Sequence, residues 1–178
     1  MFRLTLCLSL VALGGCGSWV PDPEKNPDPK PKADAPVASS EGKTFVLSAE
    51  PAGGKGVIAV RKDAKDGDAV VVVGRVGGST KPFTENRASF LIVDPSLKPT
   101  DGCETPWDFC EYPKSKVAAA RLLVKFVGPD GKALGTGARE LFGLAELSEV
   151  VVEGKVSRDD KDNVVVVARR LFVRAESK

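Results

Sequence analysis

The sequence predicts a mainly β protein, a closed five-stranded barrel with a short N-terminal helix, preceded by a secretion signal and a disordered Pro-rich tether. Three observations predict it. Five runs rich in valine and other strand formers recur between residues 69 and 173. Glycine, proline and aspartate turn signals separate them. Residues 17–42 hold almost nothing apolar after Val20, so they cannot bury enough surface to fold.

The first element is the signal. Met1 and Arg3 form a short positive start, residues 4–13 are an apolar run, and Gly14 and Gly15 follow. The run is too short to span a bilayer as a permanent helix. The junction Leu13-Gly14-Gly15-Cys16 resembles the lipobox of bacterial lipoproteins. The resemblance implies that residues 1–15, with Cys7, are removed and that Cys16 is acylated as the first mature residue. Two or three lipid chains anchor stably where one is marginal. The expected partner is therefore a membrane, reached through Cys16, and the expected location is extracytoplasmic, on the inner or outer membrane. Gly17 is not the aspartate that favours inner-membrane retention in some lipoproteins. The plainer alternative is an ordinary secretory signal in which Cys16 is an incidental thiol.

The tether, residues 16–43, carries prolines at 21, 23, 27, 29, 31 and 36. Proline at this density favours polyproline II, and roughly 25 such residues reach about 80 Å. A peptide-module ligand is the alternative, but charges alternate with the prolines.

The domain is expected over residues 44–178. Residues 49–65 suggest a short helix, from Ser48 as a cap, Glu50 and Pro51 near the start and basic residues at the end, although Gly53, Gly54 and Gly56 oppose it. Strands are expected at residues 69–76, 87–94 and 118–127. The third sets Leu122, Val124 and Phe126 on one side. Residues 139–147 read as a short helical or irregular link. Residues 150–156 and 164–173 read as a hairpin around the acidic turn Asp159-Asp160-Lys161-Asp162-Asn163.

Five strands with a link between the third and fourth resemble an OB-fold, from about Gly67 to Arg174. The phrases GDAVVVVGRVGGS, FLIVDPSLKP, CETPWDFC, VVEGKV and VVVVARRLFV are similar to OB-fold-like lipoproteins of bacterial cell envelopes, and no activity attaches to that likeness. The haem chaperone among envelope OB-folds holds haem with a histidine, which this chain lacks, so that function does not transfer.

Composition narrows the chemistry further. Histidine is absent, which excludes Ser-His-Asp and Cys-His catalysis and His-ligated zinc. Net charge is +2, too small to recruit nucleic acid by a global field. The chain is expected to be non-enzymatic, with no catalytic residues, no cofactor and no metal. The carboxylate pairs Glu146 with Glu149 and Glu140 with Glu153 show no sign of a shared cleft. The glycine-rich residues 131–137 lack the lysine of a phosphate-binding loop, and residues 159–163 lack the glycine and distal glutamate of a calcium loop.

Cys103 and Cys110 are expected to form a disulfide in an oxidising compartment. A metal site with Glu104 and Asp108 is the alternative, but it lacks the usual zinc ligand set. Within and after this loop stand Trp107, Phe109, Tyr112, Lys114 and Lys116, the candidate ligand-binding residues, because exposed aromatics beside cations stack on bases, sugars or side chains. In the competing reading Trp107 and Phe109 close one mouth of the barrel. The expected function is a tethered binding module for a protein, a glycan or a small ligand. One rival is a single-strand nucleic-acid binder using Phe90, Arg121, Lys125 and Lys132, opposed by the near-neutral charge and the extracytoplasmic address. Another rival is a structural spacer of the envelope.

Overall fold

The computed structural model describes residues 37–160 and 163–175. The signal, Cys16 and the tether up to residue 36 lie outside the described residues. From Ala38 onward the chain is built in the order β1 (Lys55–Gly56), α1 (Val57–Asp63), β2 (Ala69–Val76), β3 (Ser89–Val93), α2 (Lys114–Ala119), β4 (Arg121–Phe126), α3 (Ala138–Phe142), β5 (Glu149–Arg158) and β6 (Val164–Val173).

β2 pairs antiparallel with β3, β3 with β4, and β5 with β6. β4 pairs parallel with β6, and β2 pairs antiparallel with β5, which closes the ring. This is the five-stranded OB-type barrel that the strand pattern predicts. Closure leaves each long strand flanked on both sides, which removes the exposed edges an open sheet would carry.

Alternation places the core. Val72 and Val76 of β2, Phe90 and Ile92 of β3, Leu122, Val124 and Phe126 of β4, Val150, Val152 and Val156 of β5 and Val164, Val166 and Leu171 of β6 all point inward and are buried. Each such side chain gains about 1.5–3 kcal/mol from leaving water. Val57 and Val60 of α1 and Ala138, Leu141 and Phe142 of α3 complete the same core. Phe126 packs against Phe142 with ring centroids 4.4 Å apart, and Phe45 meets both edge-on.

A second, smaller core lies on the outside of β3. Val93 points opposite to Phe90 and Ile92, and it packs with Leu97, Phe109, Val117 and Ala120. Asp94, at the end of β3, is 8% exposed and links the two regions. Its Oδ2 accepts the Ile58 N–H at 2.9 Å, at the start of α1, where the capping position is Gly56 and offers no side chain. Its Oδ1 accepts the Ser96 N–H at 3.0 Å. Burial raises the Asp94 pKa, but the Ile58 N–H and the hydroxyl and N–H of Ser96 outweigh that and hold it below the usual carboxylate value.

Several boundaries differ from expectation; the strand expected at 150–156 runs Glu149–Arg158, and the link expected at 139–147 is helical over Ala138–Phe142. The helix expected over residues 49–65 begins only at Val57. Gly53 turns left-handed with φ +78, and Lys55 and Gly56 pair in parallel with Val72 and Val73 instead. The third strand begins at Arg121, because Pro113 starts a turn of helix that absorbs Ala118 and Ala119. The second strand shortens to Ser89–Val93.

Residues 39–43, expected in the tether, pack against the domain. The Ser39 N–H donates to the Glu140 and Leu141 carbonyls, both at 3.2 Å. A Cβ at Gly42 would stand 1.5 Å from the Leu141 oxygen, so only glycine fits there. Val46 then pairs in parallel with Leu171, extending the sheet beside β6 beyond the end of β4.

Candidate functional site

The cysteine loop is built first. Cys103 and Cys110 are joined, with S–S 2.04 Å and Cα atoms 5.9 Å apart. Asp108 Oδ lies near both sulfurs. With the sulfurs in a disulfide, neither is a thiolate ligand, and the metal reading loses its two strongest donors. Asp108 instead accepts the Cys110 N–H at 2.9 Å and tightens the turn.

The loop lies against the end of β2. The Gly78 N–H donates to the Trp107 carbonyl at 2.7 Å. A Cβ at Gly77 would stand 2.6 Å from that oxygen and 2.9 Å from the Phe109 ring, so glycine permits the approach. Arg121 donates from β4 to the Gly78 carbonyl at 2.7 Å and braces the same corner.

The five residues singled out in the sequence do not converge on one ligand. Phe109 is fully buried in the outer core, in the left-handed region at φ 59, and has no face to offer. It does not plug the barrel either, since Val93, its neighbour, points away from the interior. Tyr112 lies 6.4 Å from Phe109 and carries Lys116 over its ring at 4.7 Å, while its hydroxyl accepts the Lys98 N–H at 3.2 Å. Lys114 is exposed at the start of α2. Trp107, half-buried, donates from Nε1 to the Thr80 carbonyl at 3.1 Å.

That last bond leads to a site the sequence reading missed. Thr80 begins one wall of an open groove of about 750 Å³ between the long β2–β3 loop and the loop that enters α3. Lys81, Phe83 and Glu85 line one side, and Thr136, Arg139 and Glu140 the other. The Arg139 guanidinium stacks over Phe83 at 4.3 Å and pairs with Glu146. Phe83 in turn packs on Phe90, ring centroids 6.2 Å apart, so the wall rests on the barrel core. The visible signal was an aromatic in a loop between Pro82 and Asn86, outside any strand pattern. The glycine-rich residues 131–137 supply the facing wall at Gly135 and Gly137.

The remaining sequence candidates fall elsewhere. Phe90 points into the barrel and is buried, so the proposed nucleic-acid face has no stacking ring there. Arg121 is engaged with Gly78, Lys125 points outward and half-buried from β4, and Lys132 is exposed in a turn. Glu146 is tied to Arg139, and Glu149 to Arg75 and Arg174. Glu140 belongs to α3 and Glu153 to the outer side of β5. Asp159 accepts the Asn163 N–H and side-chain amide, both at 2.8 Å, which closes the hairpin turn at its base.

No helix among the described residues is long and apolar enough to cross a membrane. No protein-family model matches the chain, and no curated protein matches it. Among solved structures it is similar to OBody AM1L10, seen bound to hen egg-white lysozyme, at 16% identity over 74% of this chain and 100% of that one, with a TM-score of 0.41. It is also similar to a protein described as an aspartyl-tRNA synthetase from Leishmania major Friedlin, at 13% identity over 81% of this chain, with a TM-score of 0.40. This chain spans 24% of that protein. Both likenesses are too distant to bear on activity or ligand.

Proposed function

We propose that this protein is a lipid-anchored, extracytoplasmic binding module without enzymatic activity, which takes a polar chain, peptide or glycan, in the groove beside Trp107. The observation that supports it is the groove between residues 80–86 and 135–140, where an aromatic ring, charges of both signs and loop backbone face one open channel. Its walls are held before any ligand arrives, by Trp107 on Thr80 and by Arg139 on Phe83 and Glu146. Preformed walls lower the ordering cost of binding. Anchoring follows from Leu13-Gly14-Gly15-Cys16, and the tether gives the module reach from the bilayer.

Titration of the full chain with soluble peptidoglycan fragments and with extended peptides, followed by tryptophan fluorescence and calorimetry, tests the groove. A saturable response is expected that weakens at least about tenfold in Arg139→Ala and in Phe83→Ala, consistent with loss of a stacked cation. Absence of saturation with every ligand, or equal affinity in both variants, removes the groove from the account. Intact mass of membrane-extracted protein tests the anchor separately: loss of residues 1–15 and acyl chains on Cys16 are expected.

A further inference from the structure

On the side formed by β4, β6 and β5, the outward residues carry an unbalanced charge. The register aligns Lys125, Val167 and Lys155 in one row across the three strands. A bulge between Glu153 and Gly154 sets Arg170 opposite Glu153 and leaves Arg169 as the extra residue, so two consecutive guanidinium groups stand exposed at one place. Gly154 makes the bulge fit, because a Cβ there would meet the Val167 oxygen at 2.5 Å. Among the described residues, Lys125, Lys155, Arg169 and Arg170 make no ion pair within 4.0 Å and no side-chain hydrogen bond. Elsewhere Arg75, Arg139 and Arg174 are each matched to a carboxylate. Among the described residues, Glu153 is the outward β5 carboxylate opposite Arg170, and Glu149, further along the strand, is engaged by Arg75 and Arg174.

We propose that this face of β4, β6 and β5 docks onto a bilayer surface bearing anionic phospholipid headgroups. The proposal rests on the Cys16 anchor read above, which holds the domain within tether range of such a surface. Three observations favour a bilayer as the occupant. The four unpaired cations are complementary to clustered phosphates. The side chain between Lys125 and Lys155 is Val167, half-buried and apolar, which suits an interface where long cations extend past apolar stems. The surface is the outside of a sheet with a shallow groove of about 500 Å³ at the bulge, bounded by Lys55 and Val71 on its far side. The Lys55 end also borders Asp63 and Asp68, so the cationic character is strongest toward β6.

The test uses the full lipidated chain in two kinds of vesicle, phosphatidylcholine alone and phosphatidylcholine with an equal part of phosphatidylglycerol. Acylation rates of Lys125 and Lys155 are read by mass spectrometry against Lys43 and Lys114, which are exposed and lie off this face. The expected result is a fall of about threefold or more at Lys125 and Lys155 in the anionic vesicles only, reversed at about 0.5 M salt and absent in Arg169→Glu/Arg170→Glu. Equal rates in the two vesicles, or protection that survives the double variant, would overturn it. So would protection by a soluble polyanion where phosphatidylglycerol gives none, which would assign the face to a polymer. A chain that floats with neither vesicle fails earlier and differently, by removing the anchor on which the proposal stands.

Discussion

Replacing Asp94 with Asn changes one atom type and no volume, yet the structure assigns it a large effect. The carboxylate is nearly buried and accepts two backbone N–H groups, one of them at the first turn of a helix whose capping residue is glycine. An amide keeps one acceptor oxygen and turns its other end into a donor, so one N–H, on Ile58 or Ser96, faces another donor. Loss of a hydrogen bond to a charged group costs about 1.5–3 kcal/mol, and the helix-terminus charge adds about 0.3–1 kcal/mol. The expected loss is about 2 kcal/mol, or about 6 °C in Tm for a domain of this size. The pH dependence gives a second handle. The folded-state pKa of Asp94 is lowered, so its contribution is complete above the unfolded-state value near 3.9 and is lost as pH falls through the folded value. Urea unfolding of parent and Asp94→Asn at a series of pH values should show a gap that is full at pH 7 and narrows below about pH 4. A gap under about 0.5 kcal/mol at pH 7, or one that stays constant into strong acid, would refute the assignment of Asp94 as the tertiary cap of α1.

Three further outcomes are expected. Gly154→Ala drives a methyl into the backbone of β6, with Val167 O at 2.5 Å and Ala168 Cα at 3.0 Å, and should cost about 1–3 kcal/mol in urea unfolding with the fold retained by circular dichroism. Gly42→Ala should lift the segment around Lys43 from α3, since its Cβ meets the Leu141 oxygen, and limited trypsin digestion at Lys43 should quicken about tenfold while barrel cleavage stays unchanged. Cys103→Ser with Cys110→Ser should lower stability by about 2–3 kcal/mol from the loss of the short closed loop, measured by chemical unfolding against the parent under oxidising conditions.

The barrel was legible because its signal is periodic. Leu122, Val124 and Phe126 alternate with Arg121, Leu123 and Lys125, and that alternation survives intact in the burial of β4. The disulfide was legible from the cysteine spacing together with the expectation of an oxidising compartment. What failed was local geometry set from a distance. Nothing near Lys55 announces that it pairs with Val72, or that the cap of the helix following it comes from Asp94, just past the end of β3. Ala118 and Ala119 are equally at home in strand or helix within a short window, and Pro113 settled the matter five residues upstream. The groove was invisible for a related reason. Phe83 and Arg139 are 56 positions apart in the chain, one in the β2–β3 loop and one in the first turn of α3, and only the fold brings the cation over the ring. Trp107 was chosen for its exposed ring, yet what it contributes here is the Nε1 bond that places Thr80.

The segment from Ser39 to Leu47 has a mechanical consequence. Any tug arriving from the N-terminal side is taken first by the Ser39 bonds to α3, then by the wedge of Gly42 beneath Leu141, then by the bonds of Phe45 and Leu47 to Leu171, at 2.9 and 2.7 Å. These attachments, the last of them on Leu171 of β6, precede every barrel strand along the chain, so they act as a strain relief: peeling the strap breaks a few backbone bonds one after another without separating any pair of barrel strands.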